Sequence, residues 1–233
     1  MMRKISVLVA IVFLTISVIN AQIKKVIKVK DFTEFKLEGS STVYLIPSDT
    51  NGLVLEMKKD EVACYLDIDN EHGKLIINTT DKNKNLSNTF SKLTVYVYYK
   101  DLKIISLEGK GKIVTKDTLR ADIFEANLSG TGNFHLVINC NYFKADMAGT
   151  GTFKVCGKAK EAKVEVSGVG GYRGFELITQ VTNIDVEGVG KSEVYATDLL
   201  DAELSGVGSI RYKGDPKTKD FEVDGLGSIK PSN

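Results

Sequence analysis

Cysteine and histidine are scarce in this sequence, and the scarcity narrows the chemistry that it can perform. Cys64, Cys140 and Cys156 form no C-x-x-C pair, so we expect small packing residues rather than a disulfide framework; one disulfide with one thiol left over is the alternative. The two histidines, His72 and His135, belong to no H-E-x-x-H motif, and no G-x-S-x-G motif occurs. The sequence therefore predicts no metal, no cofactor and no catalytic residue.

Long apolar runs are absent after residue 19. Before that point, Arg3 and Lys4 precede an apolar stretch over 5–19, and Ala21 offers a small residue before a cleavage point. This order is typical of a secretory signal peptide. We expect residues 1–21 to be removed and residues 22–233 to form one exported domain, in the periplasm, on the outer surface or outside the cell. No later run is long enough for a membrane-spanning helix.

The chain also lacks an excess of charge of either sign. It has 31 basic and 30 acidic residues, and loss of Arg3 and Lys4 with the leader leaves a net charge of −1. No overall field attracts the protein to nucleic acid or to an anionic membrane. We therefore expect no nucleic-acid partner.

What the sequence does contain is a repeated Gly-x-Gly phrase, as in "LSGTGNF", "MAGTGTF" and "LSGVGSI". The first glycines are Gly109, Gly130, Gly149, Gly168, Gly188, Gly206 and Gly225, at steps of 21, 19, 19, 20, 18 and 19 residues. Sustained self-similarity at such a period is the signature of a solenoid, in which each repeat stacks on the previous one. The phrase is interpreted as a corner, where glycine allows positive φ and a close approach of backbones.

Each repeat alternates as a β-strand should. Apolar residues lie two and four positions before the first glycine, as Met147 and Ala145 do, down to Val223 and Phe221 in the last repeat, with a polar residue between them. Four positions after the glycine the residues are again mostly apolar, and Ser192 is the exception. The pattern predicts an all-β fold, a right-handed parallel β-helix with rungs of about 19 residues. A six-residue sub-period, which left-handed helices show, is not present.

The residues and predicted strands around the glycine phrase exclude two chemical interpretations of it. A dinucleotide-binding fingerprint needs a third glycine and a following helix, whereas strands are predicted after every copy. Calcium-binding nonapeptides need aspartate two residues after the second glycine, where this chain has residues such as Phe134, Tyr172 and Ile210.

The N-terminal part is different, because residues 22–100 carry strand-like segments without the phrase. "FKLEGSSTVYL" (35–45) resembles one repeat with Ser41 in place of the second glycine, and "DNEHGK" is a turn between two strands. We expect 22–100 to supply antiparallel strands that cap the stack, because a terminal repeat must hide an exposed core. Residues 101–233 then form the Gly-x-Gly rungs.

Three outward columns are candidate binding surfaces. The acidic column comprises Asp146, Glu165, Asp185, Glu203 and Glu222, and the basic column comprises His135, Lys154, Arg173, Arg211 and Lys230, interrupted by Glu193. Both columns fit ordinary solvated faces, or a sugar- or cation-binding face. The third column is an apolar stripe, Val169, Val189, Val207 and Leu226. It is either turned into the core at the corner, or covered by the chain's own terminal segments or by a second copy.

The sequence pattern resembles that of a family of exported bacterial proteins common in Bacteroidetes, the putative auto-transporter adhesin, head GIN domain family. The resemblance is carried by "LTVYVYYKDLKIISLEGKGKI" (93–113) and by the serial L-S-G-x-G turns that follow it. The resemblance extends over about residues 30–230. It implies a parallel β-helical, non-enzymatic domain at the surface or in the periplasm, and no catalytic residues to carry over.

Three function classes follow from these observations. The first is an exported adhesin-like scaffold that binds a glycan, an envelope protein or a second copy of itself. The second is a carbohydrate-active β-helical enzyme, similar to pectinases and polysaccharide lyases. The third is a structural envelope protein with no soluble ligand.

Overall fold

The computed structural model describes residues 23–57, 66–79 and 93–232, and every regular element in these ranges is a β-strand. The N-terminal strands are β1 Ile23–Ile27, β2 Glu34–Pro47, β3 Gly52–Met57, β4 Asp67–Glu71, β5 Lys74–Asn78 and β6 Thr94–Tyr99. The strands of the middle rungs are β7 Ile104–Thr115, β8 Leu119–Arg120, β9 Ile123–Leu128, β10 Thr131–Met147, β11 Thr150–Val166 and β12 Val169–Ile178. The last rungs contain β13 Val181–Val186, β14 Val189–Tyr195, β15 Leu199–Leu204, β16 Val207–Lys213, β17 Thr218–Val223 and β18 Leu226–Pro231.

Successive repeats stack in parallel and in register, so that the protein is a β-solenoid of about seven turns. Along one side, which we call the first face, the strands that precede the glycine phrase pair rung on rung, as β11, β13, β15 and β17 do. Along the second face, the strands that follow the phrase pair in the same way, as β12, β14, β16 and β18 do. The all-β parallel solenoid predicted from the 19-residue period is confirmed. Right-handed coiling stays a prediction.

The glycine phrase marks the corner between the two faces, because the chain leaves strand geometry at pairs such as Ser167–Gly168. A methyl group added at Gly168 would overlap the carbonyl oxygen of Gly149 one rung earlier, and the other corner glycines from Gly130 to Gly225 are in the same situation. The close approach of successive backbones therefore explains why the first glycine recurs. At the second glycine, Gly170 also has a φ of 140°, which side-chain-bearing residues rarely adopt.

The inward columns form one continuous core. Phe134 stacks on Phe153 with ring centroids 4.6 Å apart, and Phe124 stacks on Phe143 at 6.0 Å, so aromatic side chains repeat from rung to rung. Ser192, the exception in its column, is also buried, and its hydroxyl oxygen has no hydrogen-bond partner among the described residues.

The sequence prediction of a core that continues through the last repeat is wrong at its end. Phe221 is 38% exposed and Val223 is 45% exposed, although the equivalent residues one rung earlier, Ala202 and Leu204, are buried. The reason is geometric, since β17 and β18 pair with the preceding rung and no described strand lies on their other side.

The N-terminal strands close the opposite end, as expected. β2 is a complete rung below β7, with Gly39 opposite Gly109 and Ser41 opposite Gly111. Below β2, β5 and β6 still pair with it in parallel. Beyond them the pairing is antiparallel: β4 pairs with β5, β3 pairs with β6, and β1 pairs with β3. The predicted capping segment is therefore confirmed. The predicted leader (1–21), Cys64 and the polar loop 81–90 lie outside the described residues.

Candidate functional site

The second face carries three outward columns side by side, because alternate residues of one strand point away from the core. On β12 these are Val169 in the apolar stripe, Gly171 in a middle column, and Arg173 in the basic column. The middle column contains mostly small or hydroxyl-bearing residues, such as Thr152, Ser209 and Ser228, together with Lys112 and Lys191. The face is therefore apolar at the corner and cationic away from it.

The basic column is a true stack of side chains. Lys154 lies opposite His135 on one neighbouring strand and opposite Arg173 on the other, and Arg211 lies opposite Lys230. Burial and the charges of Lys112, Lys154 and Arg173 lower the pKa of His135 below its ordinary value. Glu193, which lies opposite both Arg173 and Arg211, interrupts the positive charges of this column.

An irregularity in the basic column lies at Arg173. The register between β11 and β12 shifts after the Lys154–Arg173 pair, so that Cys156 is opposite Glu176 and β12 holds one extra residue. A shallow depression of about 370 Å³ lies beside the bulge, lined by residues that include Gly171, Arg173, Lys191 and Glu193. Sequence reasoning placed Arg173 in the column but missed the bulge, because an inserted residue within one strand leaves the glycine period almost unchanged.

The acidic column runs along the first face, on the other side of the corner. Asp146, Glu165, Asp185, Glu203 and Glu222 are stacked in register on successive strands. Lys163 and Lys144 neutralise Glu165 at nitrogen–oxygen distances of 2.7 Å and 3.6 Å, and these ion pairs lower the pKa of its carboxyl.

Farther along the acidic column the charges are not compensated. Burial, followed by the charges of Glu187 and Glu165, raises the pKa of Asp185, and the charge of Asp185 raises the pKa of Glu203. One Asp185 carboxylate oxygen is buried without a hydrogen-bond partner in the described part of the chain. Within that part, no group of three or more His, Cys, Asp or Glu side chains is arranged to hold a metal ion.

The apolar stripe lies in solvent at the corner. Val169, Val189, Val207 and Leu226 are 54%, 53%, 49% and 78% exposed, and they are opposite one another on successive strands. The alternative in which the corner turns these side chains into the core is therefore wrong. An isolated exposed valine needs no explanation, but four on consecutive rungs form one continuous apolar surface.

The described cysteines are free thiols with different surroundings. Cys140 is buried, and its burial raises the pKa of the thiol to about 11. Cys156 is half-buried and donates a hydrogen bond from Sγ to Glu176 Oε2 at 2.8 Å; burial, then this bond, raises its pKa to about 11. Both thiols are therefore protonated at neutral pH, which makes them weak nucleophiles.

Together, the stacked rungs, the glycine corners and the outward columns define a glycine-punctuated β-solenoid protein. The chain belongs to the family described as putative auto-transporter adhesin, head GIN domain, whose family model matches residues 31–216. This confirms the resemblance seen in the sequence. A search of curated proteins finds no match.

Solved structures show the same architecture. A putative adhesin from Bacteroides fragilis is 25% identical, with a TM-score of 0.85 over 91% of this chain and 97% of that one. A putative lipid binding protein from Parabacteroides distasonis is 23% identical, with a TM-score of 0.69 over 91% and 97% of the two chains. A putative adhesin from Parabacteroides merdae is 22% identical, with a TM-score of 0.65 over 91% and 96%. No helix among the described residues is long and apolar enough to cross a membrane.

Proposed function

We propose that this chain is an exported, adhesin-like scaffold that binds a glycan or an envelope protein on its outer faces without changing it chemically. The observation that carries the proposal is the arrangement of charged and apolar side chains into outward columns, in register over successive rungs, around a filled core. Such columns present the same chemical group at every rung, about 4.8 Å apart, as a repetitive ligand requires.

The comparisons support this class of function. The family is described as a putative auto-transporter adhesin domain, and the similar protein from Bacteroides fragilis is named a putative adhesin. Proteins of this class work outside the cytoplasm, which agrees with the leader predicted over residues 1–21. The two described cysteines, protonated and in one case buried, add no reactive nucleophile to the faces.

A binding screen tests the proposal. The protein is applied to a glycan array and, in parallel, used to capture partners from solubilised envelope fractions. We expect saturable retention of a defined glycan or envelope protein. The Lys154→Glu/Arg211→Glu variant reverses charge on an exposed column of the proposed binding surface without touching the core, and it should lose retention of a ligand that this column holds. Retention that is absent throughout both screens would contradict the scaffold function and favour a purely structural envelope protein.

A further inference from the structure

The apolar stripe lies between two flanks of opposite charge on every rung that contains it. On the first-face side, each rung carries at least one acidic residue: Glu165, then Asp185 and Glu187, then Glu203, then Glu222 and Asp224. On the second-face side, each rung carries a basic residue, Arg173, Lys191, Arg211 and Lys230 in turn, and the rung of Lys191 also carries the acidic Glu193. An apolar seam with acid on one side and base on the other is self-complementary.

Almost none of these flanking charges is used within the chain. Of these eleven residues, only Glu165 forms an ion pair with another described residue. The acids repel each other along the stack, which is the reason why the charge of Asp185 raises the pKa of Glu203. Both flanks therefore gain free energy from a surface of opposite charge, and the stripe gains from an apolar one.

We propose that this seam is the contact between two copies of the chain, related by a two-fold axis parallel to the solenoid axis. Such an axis keeps every rung at its own level, lays the stripe of one copy on the stripe of the other, and turns the acidic flank of each copy toward the basic flank of the other. Because both copies have the same rung spacing, the pairing repeats in register along the seam.

The other two-fold arrangement is disfavoured by the same charges. An axis perpendicular to the solenoid axis also lays stripe on stripe, but it turns acidic flank toward acidic flank and basic toward basic. Like charges facing each other across an interface are repulsive, and this repulsion selects the parallel arrangement. The seam spans four rungs, about 14 Å at ~4.8 Å per step, so the dimer is expected to be reversible and dependent on concentration.

Glu187 and Lys191 provide a sharp test, because they flank Val189 on one rung and are both exposed. In the parallel dimer, Glu187 of one copy lies next to Lys191 of the second copy, twice by symmetry. Glu187→Lys alone and Lys191→Glu alone each create like-charge contacts at both places. The Glu187→Lys/Lys191→Glu double variant restores opposite charges, and so does an equimolar mixture of the two single variants.

The measurement is sedimentation velocity of the full chain over a range of concentrations and at low salt, with circular dichroism to verify folding. We expect the wild type to approach dimer mass, each single variant to dissociate at least tenfold more readily, and both the double variant and the mixture to recover dimer mass. Val189→Ser/Val207→Ser should also dissociate the dimer while remaining folded. Lys158→Glu, an exposed charge reversal outside the seam, serves as control and should behave as wild type.

Three results would overturn the proposal. One is a wild type that stays monomeric at all concentrations, which would mean that solvent or the chain's own segments meet the stripe. The second is dissociation by the single variants without recovery in the mixture, which would reject the parallel geometry. The third is a dimer whose mass none of the seam variants changes.

Discussion

At the scale of single residues, Met147 and Asp146 are neighbours in the chain that face opposite environments. Met147 is 1% exposed in the core, whereas Asp146 is half-buried in the acidic column. We expect Met147→Asp to prevent folding, because it places an unpaired charge in an apolar stack. Asp146→Ala should change the free energy of unfolding by no more than about 0.5 kcal/mol. Chemical denaturation measures both, and equal effects of the two substitutions would contradict the assignment of inward and outward faces.

Asp185 gives a prediction with a pH dependence. Its pKa is raised in the folded protein, chiefly by burial and then by Glu187 and Glu165, although Lys163 acts in the opposite direction. The folded state therefore holds the proton more strongly than the unfolded state, and stability is lost as pH rises through the folded pKa. Asp185→Asn removes this loss and should stabilise the protein at neutral pH by about 0.2–1 kcal/mol, the usual cost of like charges on adjacent strands.

The control is the same comparison in acid. As pH falls through the folded pKa of Asp185 and then below the ordinary pKa of an unfolded aspartate, wild type and variant should become equally stable, because both then carry a neutral side chain at this position in the folded and the unfolded state. Urea denaturation at a series of pH values measures the difference. A variant that is less stable than wild type at neutral pH would show that the Asp185 carboxylate is favourably held rather than strained.

At the scale of structural elements, the glycine corner is the feature on which the stacking of rungs depends. An added Cβ at Gly168 would overlap the backbone of the rung below, whereas one at Gly52 would meet only a distant carbonyl oxygen at 3.9 Å. We expect Gly168→Ala to cost about 3 kcal/mol or more of stability, because neither backbone can move without disturbing its own ladder. Gly52→Ala should be neutral or slightly stabilising, by up to ~1 kcal/mol. Thermal denaturation of the two variants distinguishes them, and similar midpoints would contradict the close approach.

The elements also show which parts of the fold a sequence can reveal. The rungs from β7 to β18 could be predicted because each residue type recurs at a fixed period, and the in-register pairing follows from that period. The antiparallel order of β1, β3 and β6 could not, since no short-range pattern says which strands meet. The bulge at Arg173 was missed because one inserted residue leaves the glycine period almost unchanged. The exposed end at Phe221 was missed because exposure depends on what lies beside a strand rather than on the strand itself.

For the candidate surfaces too, some features could be predicted from the sequence and others required the structure. The columns were found from spacing alone, and the exposure of Val189 and Val207 decided between core and surface. The separation of acid and base into two columns was likewise predicted from spacing, although the near-zero net charge gives no sign of it. Net charge sums over the molecule, and only the stacking of rungs shows where each sign accumulates.

At the scale of the whole molecule, charge is arranged as two faces that meet at an apolar corner. In the proposed scaffold, binding falls to the outside of the solenoid, since the inward columns are filled by side chains. A scaffold of this kind holds a ligand by many weak contacts repeated along its length. A β-helical enzyme, in contrast, must concentrate a proton acceptor and its partners at one place.

The measurement that tests this account most directly follows binding and polymer length in one sample. The protein is incubated with the acidic polysaccharide or envelope glycan that it retains best, in the presence of calcium. Size-exclusion chromatography with light scattering then reports the mass of complex and free polymer, while ultraviolet absorbance reports unsaturated products. The account predicts a complex whose polymer keeps its original length, with no absorbance change over many hours. Progressive shortening of the polymer, abolished by heating the protein, would contradict it and identify the chain as a carbohydrate-active enzyme.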